Sequence, residues 1–261
     1  MLVWLIGLEV LVMFCAPVAL GLALRKRHGT SWGLFGIGAV TFVASQVVHL
    51  PLNVGLTLLF RQGWMPKPPE AWALSFNAVV LGLTAGLCEE AARYLVYRFW
   101  VKDARSWRQA LTFGAGHGGV ESVITGVMVV VSLMTMIALR DMDVSALGLS
   151  PEQDAALVKQ IAEFWRTPWY LPLLAAAERL MAILLHLALA ALVLQVFGTR
   201  RLWPLWVAIA WHAAVNAIAV YVNLTWGAVA SEGTLALLSI GSMAILWVTW
   251  RADRHRTLGQ E

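Results

Sequence analysis

Seven apolar stretches, each long enough to cross a bilayer, leave this chain few folds to choose from. They run roughly over 2–24, 32–60, 71–99, 107–139, 170–197, 203–224 and 233–250. About 20 apolar residues cross the hydrocarbon as a helix, and a helix satisfies its own backbone there. The composition agrees: 60% of residues are hydrophobic and 13% charged, where a soluble domain has about 45–50% and about 25%. Mean hydropathy is +0.72. The sequence predicts an all-α polytopic transmembrane helical bundle of about seven spans, one membrane domain over 1–261. The opening MLVWLIGLEVLVMF has no basic flank, so it reads as a retained helix and not a cleaved signal. Stretches two to four exceed one span, which calls for tilt, kinks or extension beyond the membrane. His49-Leu50-Pro51 is a kink candidate. Cys15 and Cys88 lie in apolar runs, without metal-type spacing or a case for a disulfide.

Charge sets the expected topology. Arg25, Lys26 and Arg27 follow the first stretch; Arg98, Lys102, Arg105 and Arg108 surround the third loop; Arg200 and Arg201 form the fifth; Arg251, Arg254 and Arg256 open the tail. The alternating loops are poor in net positive charge, including 141–169 and the short loop expected near Ser231-Glu232. The positive-inside rule then places the N-terminus outside and the C-terminus in the cytoplasm. The net charge of +4 is topological and implies no nucleic-acid partner. The expected location is the cell membrane, multi-pass, of a prokaryotic type. Within the external loop 141–169, Ser150-Pro151-Glu152-Gln153 signals a short surface helix. Tryptophans near span ends (Trp32, Trp64, Trp100, Trp203, Trp250) form an interfacial belt.

Against this background the stretch Cys88-Glu89-Glu90-Ala91-Ala92-Arg93 stands out. An ionised side chain at mid-membrane costs at least about 2.5–3.5 kcal/mol, so it marks a functional site by default. Further polar groups lie in other spans: His49 in the second; Gly114-Ala115-Gly116-His117-Gly118-Gly119-Val120-Glu121 in the fourth; Glu178-Arg179 and His186 in the fifth; His212 and Asn216 in the sixth. Helical rise puts Glu89, His117, His186 and His212 in one layer, roughly 13–18 Å below the basic end. Glu89 with Arg93, His117 with Glu121, and His212 with Asn216 are each four apart and share a face. Glycines 114, 116, 118 and 119, and Gly82 and Gly86 beside Glu89, allow close backbone approach. A carboxylate and a histidine can hold and deprotonate a water, while a second histidine and an amide stabilise an oxyanion. His117, His212 and Glu89 could instead hold zinc with one open position. Zinc and no metal fit the residues equally.

Glu-Glu-x-x-Arg, Phe113-x-x-x-His117 and His212-x-x-x-Asn216, on three spans in that order, resemble the CPBP superfamily of intramembrane proteases, which includes the CAAX prenyl proteases and bacteriocin-immunity (Abi) proteins. The Gly-x-Gly-His-Gly-Gly-x-Glu run around His117, with Glu-Arg and His in the next span, is most similar to its YhfC branch of intramembrane metalloproteases. The resemblance implies an intramembrane endopeptidase, glutamate- or zinc-dependent, acting near the cytoplasmic leaflet on a membrane-embedded or membrane-associated peptide. Glu89 would be the catalytic carboxylate with His117 as its partner, and His212 and Asn216 the oxyanion site. Glu90 counts with them. Arg93, Glu121, Glu178, Arg179 and His186 would support.

Blander readings stand beside these. Glu89, Glu90 and Arg93 could form an ion pair that only locks helices, and the histidines could be interhelical hydrogen bonds. His49 could bond a carbonyl freed by Pro51. A proton-coupled membrane transporter or channel would use the same Glu/His/Arg layer, though the spans show no repeated halves.

Overall fold

The computed structural model describes residues 1–258. Its elements are α1 (Leu2–His28), α2 (Trp32–Arg61), α3 (Glu70–Phe99), α4 (Trp107–Leu139), a 3-10 turn (Val144–Leu147), α5 (Pro151–Trp165), α6 (Leu171–Thr199), α7 (Trp203–Trp226) and α8 (Ala228–Leu258). All helices except α5 are long and apolar enough to cross a membrane, which gives seven spans. No strand occurs among the described residues.

Local signals set the helix ends. Ser31 caps α2 by accepting from the Leu34 amide at 3.2 Å. Ser106 and Gln109 close a capping box on α4, and Ser150 and Gln153 do so on α5, inside the loop where the Ser-Pro-Glu-Gln run predicts a helix. Gly29 ends α1 in the left-handed conformation (φ 66°), its amide bonded to Arg25 O at 2.9 Å. One boundary differs from expectation. The last interhelical turn falls at Gly227 (φ 84°), and Ser231 and Glu232 lie in the first turns of α8, where the Ser231 amide bonds Gly227 O at 3.1 Å. Glycine reaches that positive φ without a steric cost, so the chain reverses there and not at the polar pair. Helix α4, with 33 residues, is about 50 Å long and outreaches the hydrocarbon. Arg105 closes the basic end of α3: its guanidinium donates to Tyr97 O at 3.0 Å and lies 4.3 Å from the Phe197 ring centroid, supplying a donor for a carbonyl the helix leaves unpaired.

Helix α6 is the central post. Its apolar window is 67% buried, against 11–33% for the other spans. Ala188, Ala190 and Ala191 are fully buried on it, and such small residues let neighbouring helices approach closely. Glycines do the same where the site forms. A methyl group at Gly114 of α4 would sit 2.7 Å from His186 O of α6, and one at Gly116 would strike the Phe35 carbonyl of α2. A methyl group at Gly86 of α3 would lie 2.8 Å from Ile209 O of α7. These contacts draw α3, α4, α6 and α7 together at the depth of Glu89.

Candidate active site

Five helices deliver one buried polar cluster. Glu89 and Glu90 are consecutive on α3, so they point about 100° apart and reach different partners. The Glu89 Oε2 lies 3.1 Å from His117 Nε2 of α4, and its Oε1 accepts from Gln46 Nε2 of α2 at 3.2 Å. Glu90 Oε2 accepts from Arg93 Nη1 at 2.6 Å, and Glu90 Oε1 lies 2.8 Å from His212 Nδ1 of α7. Glu90, Arg93 and His117 are wholly buried.

A second line of contacts runs through α6. Arg93 Nη2 lies 3.2 Å from His186 Nδ1, and His186 Nε2 lies 2.7 Å from Glu121 Oε2 of α4. A guanidinium only donates, so His186 Nδ1 accepts and Nε2–H donates to Glu121. Its tautomer is fixed from both sides. Arg179 Nη1 donates to Glu121 Oε1 at 3.1 Å and pairs with Glu178. Glu121 therefore serves His186 rather than His117, its neighbour one turn back. The rings of His117 and His186 stand 4.9 Å apart between centroids, and those of His186 and His212 stand 5.5 Å apart.

A cavity of about 100 Å³ opens on this layer, bordered by Glu89, Glu121, His186, His212 and Asn216. It has room for several waters. With Nδ1 of His212 held by Glu90, Nε2 is the atom left for the cavity. The Asn216 amide lies one turn further along on the same face.

Glu89, His117 and His186 each offer a ligand atom within 4.8 Å of the other two. The candidate ligand set thus contains His186, which the sequence suggests only as a support, in place of His212, which turns to Glu90. Two imidazoles and a carboxylate suit zinc. Among the described residues His117 Nδ1 is buried with no hydrogen-bond partner, and Glu121 behind His186 is the outer carboxylate that a metal-binding histidine commonly has. The two imidazoles and the carboxylate fit a metal ion, which at His186 would take Nδ1 and displace the Arg93 Nη2 contact of 3.2 Å.

Gln46 has no counterpart in the sequence reading. Its signal is a polar stripe, Gln46, His49 and Asn53, at helical spacing on an otherwise apolar span. His49 Nδ1 lies 3.1 Å from Gln46 Oε1, and Asn53 Nδ2 lies 2.9 Å from His49 Nε2. Both nitrogens of His49 thus have side-chain partners, so it is not engaged with a carbonyl freed by Pro51. Helix α2 continues through that proline.

Fold and site together define a seven-span membrane protein with a buried Glu/His cluster beside an internal cavity. The family model described as YhfC intramembrane metalloprotease matches residues 11–237. The chain is also similar to the uncharacterized membrane protein YhfC of Bacillus subtilis (strain 168), with 30% identity over 241 residues and 91% of each chain covered. The chain belongs to the YhfC family. No solved structure matches it.

Proposed function

We propose that this protein is an intramembrane peptidase that hydrolyses a peptide bond of a membrane-embedded substrate, near the end of the bundle that carries the basic clusters. On the positive-inside rule that end faces the cytoplasm, and the chain acts as one membrane domain in the cell membrane. The observation that carries this reading is the buried Glu89–His117–His186 cluster beside a cavity that His212 and Asn216 also border. The family description and the Glu/His/Asn pattern shared with the CPBP superfamily support it.

In this reading a water in the cavity rests against Glu89. Glu89 takes its proton as the water attacks the scissile carbonyl and hands the proton to the leaving amine. Gln46 and His117 orient the Glu89 carboxylate. His212 Nε2 and the Asn216 amide donate to the oxyanion, and the Glu90 carboxylate behind Nδ1 stabilises a protonated imidazole in that role. A metal ion held by Glu89, His117 and His186 would acidify a water and polarise the carbonyl.

Two measurements test the proposal. N-terminal peptide mapping compares membranes of a bacterial host producing wild type or Glu89→Gln. New N-termini found only with wild type are expected, and identical maps refute peptidase activity. Metal content of the purified protein, by mass spectrometry, is expected at about one zinc per chain in wild type, lost in His117→Ala and His186→Ala. No metal in folded wild type refutes the metal site and leaves cleavage to Glu89 and His117.

A further inference from the structure

A second, larger opening lies away from the Glu/His cluster, at the basic end of the bundle. It measures about 1560 Å³ and is bordered by the C-terminal ends of α1 and α8 and the N-terminal ends of α2 and α4. Usual small-molecule sites are about 300–1,000 Å³ and mostly enclosed; this one is an open groove on the side of the bundle. Its composition is layered. Deeper in the membrane the wall is apolar, with Leu20, Leu24, Leu34, Leu111 and Leu246. Trp247 and Trp250 of α8 line the same wall and remain 54% and 39% exposed.

The outer rim is cationic. Arg27, Arg108 and Arg254 come to it from three different helices, with His28 between, against one carboxylate, Asp253. Asp253 already pairs with Arg256 at 3.7 Å. Among the described residues neither Arg27 nor Arg108 forms an ion pair, and both are exposed. Ser31 and Ser106, the caps of α2 and α4, sit on the same rim; the helix N-termini there are offset by the C-terminal end of α1, so the positive charge of the rim comes from the arginines. A cationic rim over an apolar wall of leucine and tryptophan matches a phosphate headgroup above acyl chains.

We propose that this groove binds an anionic phospholipid, its phosphodiester on Arg27, Arg108 and Arg254 and its acyl chains along the leucine wall. The shared chemistry is a phosphate oxyanion; the apolar wall favours a lipid over a soluble phosphate. Basic pockets between helices at the cytoplasmic side take such headgroups.

Native mass spectrometry of the delipidated full-length protein tests this, with phosphatidylglycerol, phosphatidylcholine and inorganic phosphate as probes. One phosphatidylglycerol per chain is expected at a concentration at least about tenfold below that needed for phosphatidylcholine. Arg27→Gln/Arg108→Gln should weaken it roughly 30-fold. Lys102→Gln/Arg201→Gln, two exposed cations at the same end outside the groove, should change it less than about threefold. Equal binding of the two lipids overturns the proposal, as does equal loss in both double variants. Displacement by inorganic phosphate at matching concentration assigns the rim to a soluble anion and overturns the lipid site. If the Arg27/Arg108 variant does not fold, the three wild-type probes still decide.

Discussion

Removing the cation beside Glu90 should be far more damaging than removing the whole ion pair. Arg93 and Glu90 are both wholly buried and meet at 2.6 Å. Arg93→Met leaves the Glu90 carboxylate in the membrane interior with His212 Nδ1 as its one remaining partner. Breaking a buried pair in this way costs about 3–5 kcal/mol, because one charge stays behind without compensation. In Glu90→Gln/Arg93→Met no charge remains, and the Gln oxygen still accepts from His212. What is lost is chiefly the Arg93 bond to His186, about 1.5–3 kcal/mol for a bond from a charged donor, and Arg93→Met loses it as well. The double variant should therefore be more stable than Arg93→Met by about 2 kcal/mol or more. Equilibrium unfolding of the detergent-solubilised protein, for wild type, both single variants and the double, gives the coupling directly. Additive effects, or an Arg93→Met cost below about 1 kcal/mol, would refute the claim that these charges compensate each other in a dry environment.

Gln46→Leu removes the amide that donates to Glu89 Oε1. Stability should shift by less than about 1.5 kcal/mol, while cleavage read by N-terminal mapping falls roughly tenfold, the rate equivalent of one such bond. Gly116→Val drives a branched side chain into the Phe35 carbonyl. It should cost about 3 kcal/mol and appear as loss of monodisperse protein on size exclusion. Ser106→Ala removes the α4 capping box and should cost about 1 kcal/mol in unfolding, with zinc content unchanged.

The spans were legible because membrane insertion makes hydrophobic length a nearly sufficient signal, and the depth of each site residue follows from counting helical rise. Azimuth is harder. Sequence spacing says that His117 and Glu121 share a face, but not that α6 places His186 between that face and Arg93. The choice between His186 and His212 as neighbour of the Glu89–His117 pair depends on how α6 and α7 are rotated, which Gly114 and Gly86 set by close contact with partners remote in sequence. Gln46 was hidden for another reason: an amide carries no charge and raises no alarm in a hydropathy trace, though its place one turn before His49 was a visible cue.

Charge accounting within the layer separates the three carboxylates. Glu90 has the Arg93 guanidinium, and Glu121 has that of Arg179. Glu90 is thus balanced by a permanent cation, while Glu121 shares the cation of Arg179 with Glu178. Among the described residues the hydrogen-bond partners of Glu89 are His117 and Gln46, neither a permanent cation, and Glu89 borders the cavity. A carboxylate without a fixed counter-charge must acquire a proton, a protonated histidine or a metal ion to sit stably at that depth. The second and third leave Glu89 ionised: beside a protonated histidine it can take a proton from water, and on a metal ion it is a ligand. The same reasoning gives Glu90 and Glu121 their tasks, since a carboxylate behind an imidazole fixes its tautomer and orientation. The paired glutamates of α3 are thus unequal by construction: adjacent on a helix, they face different neighbours, and only one is left unbalanced.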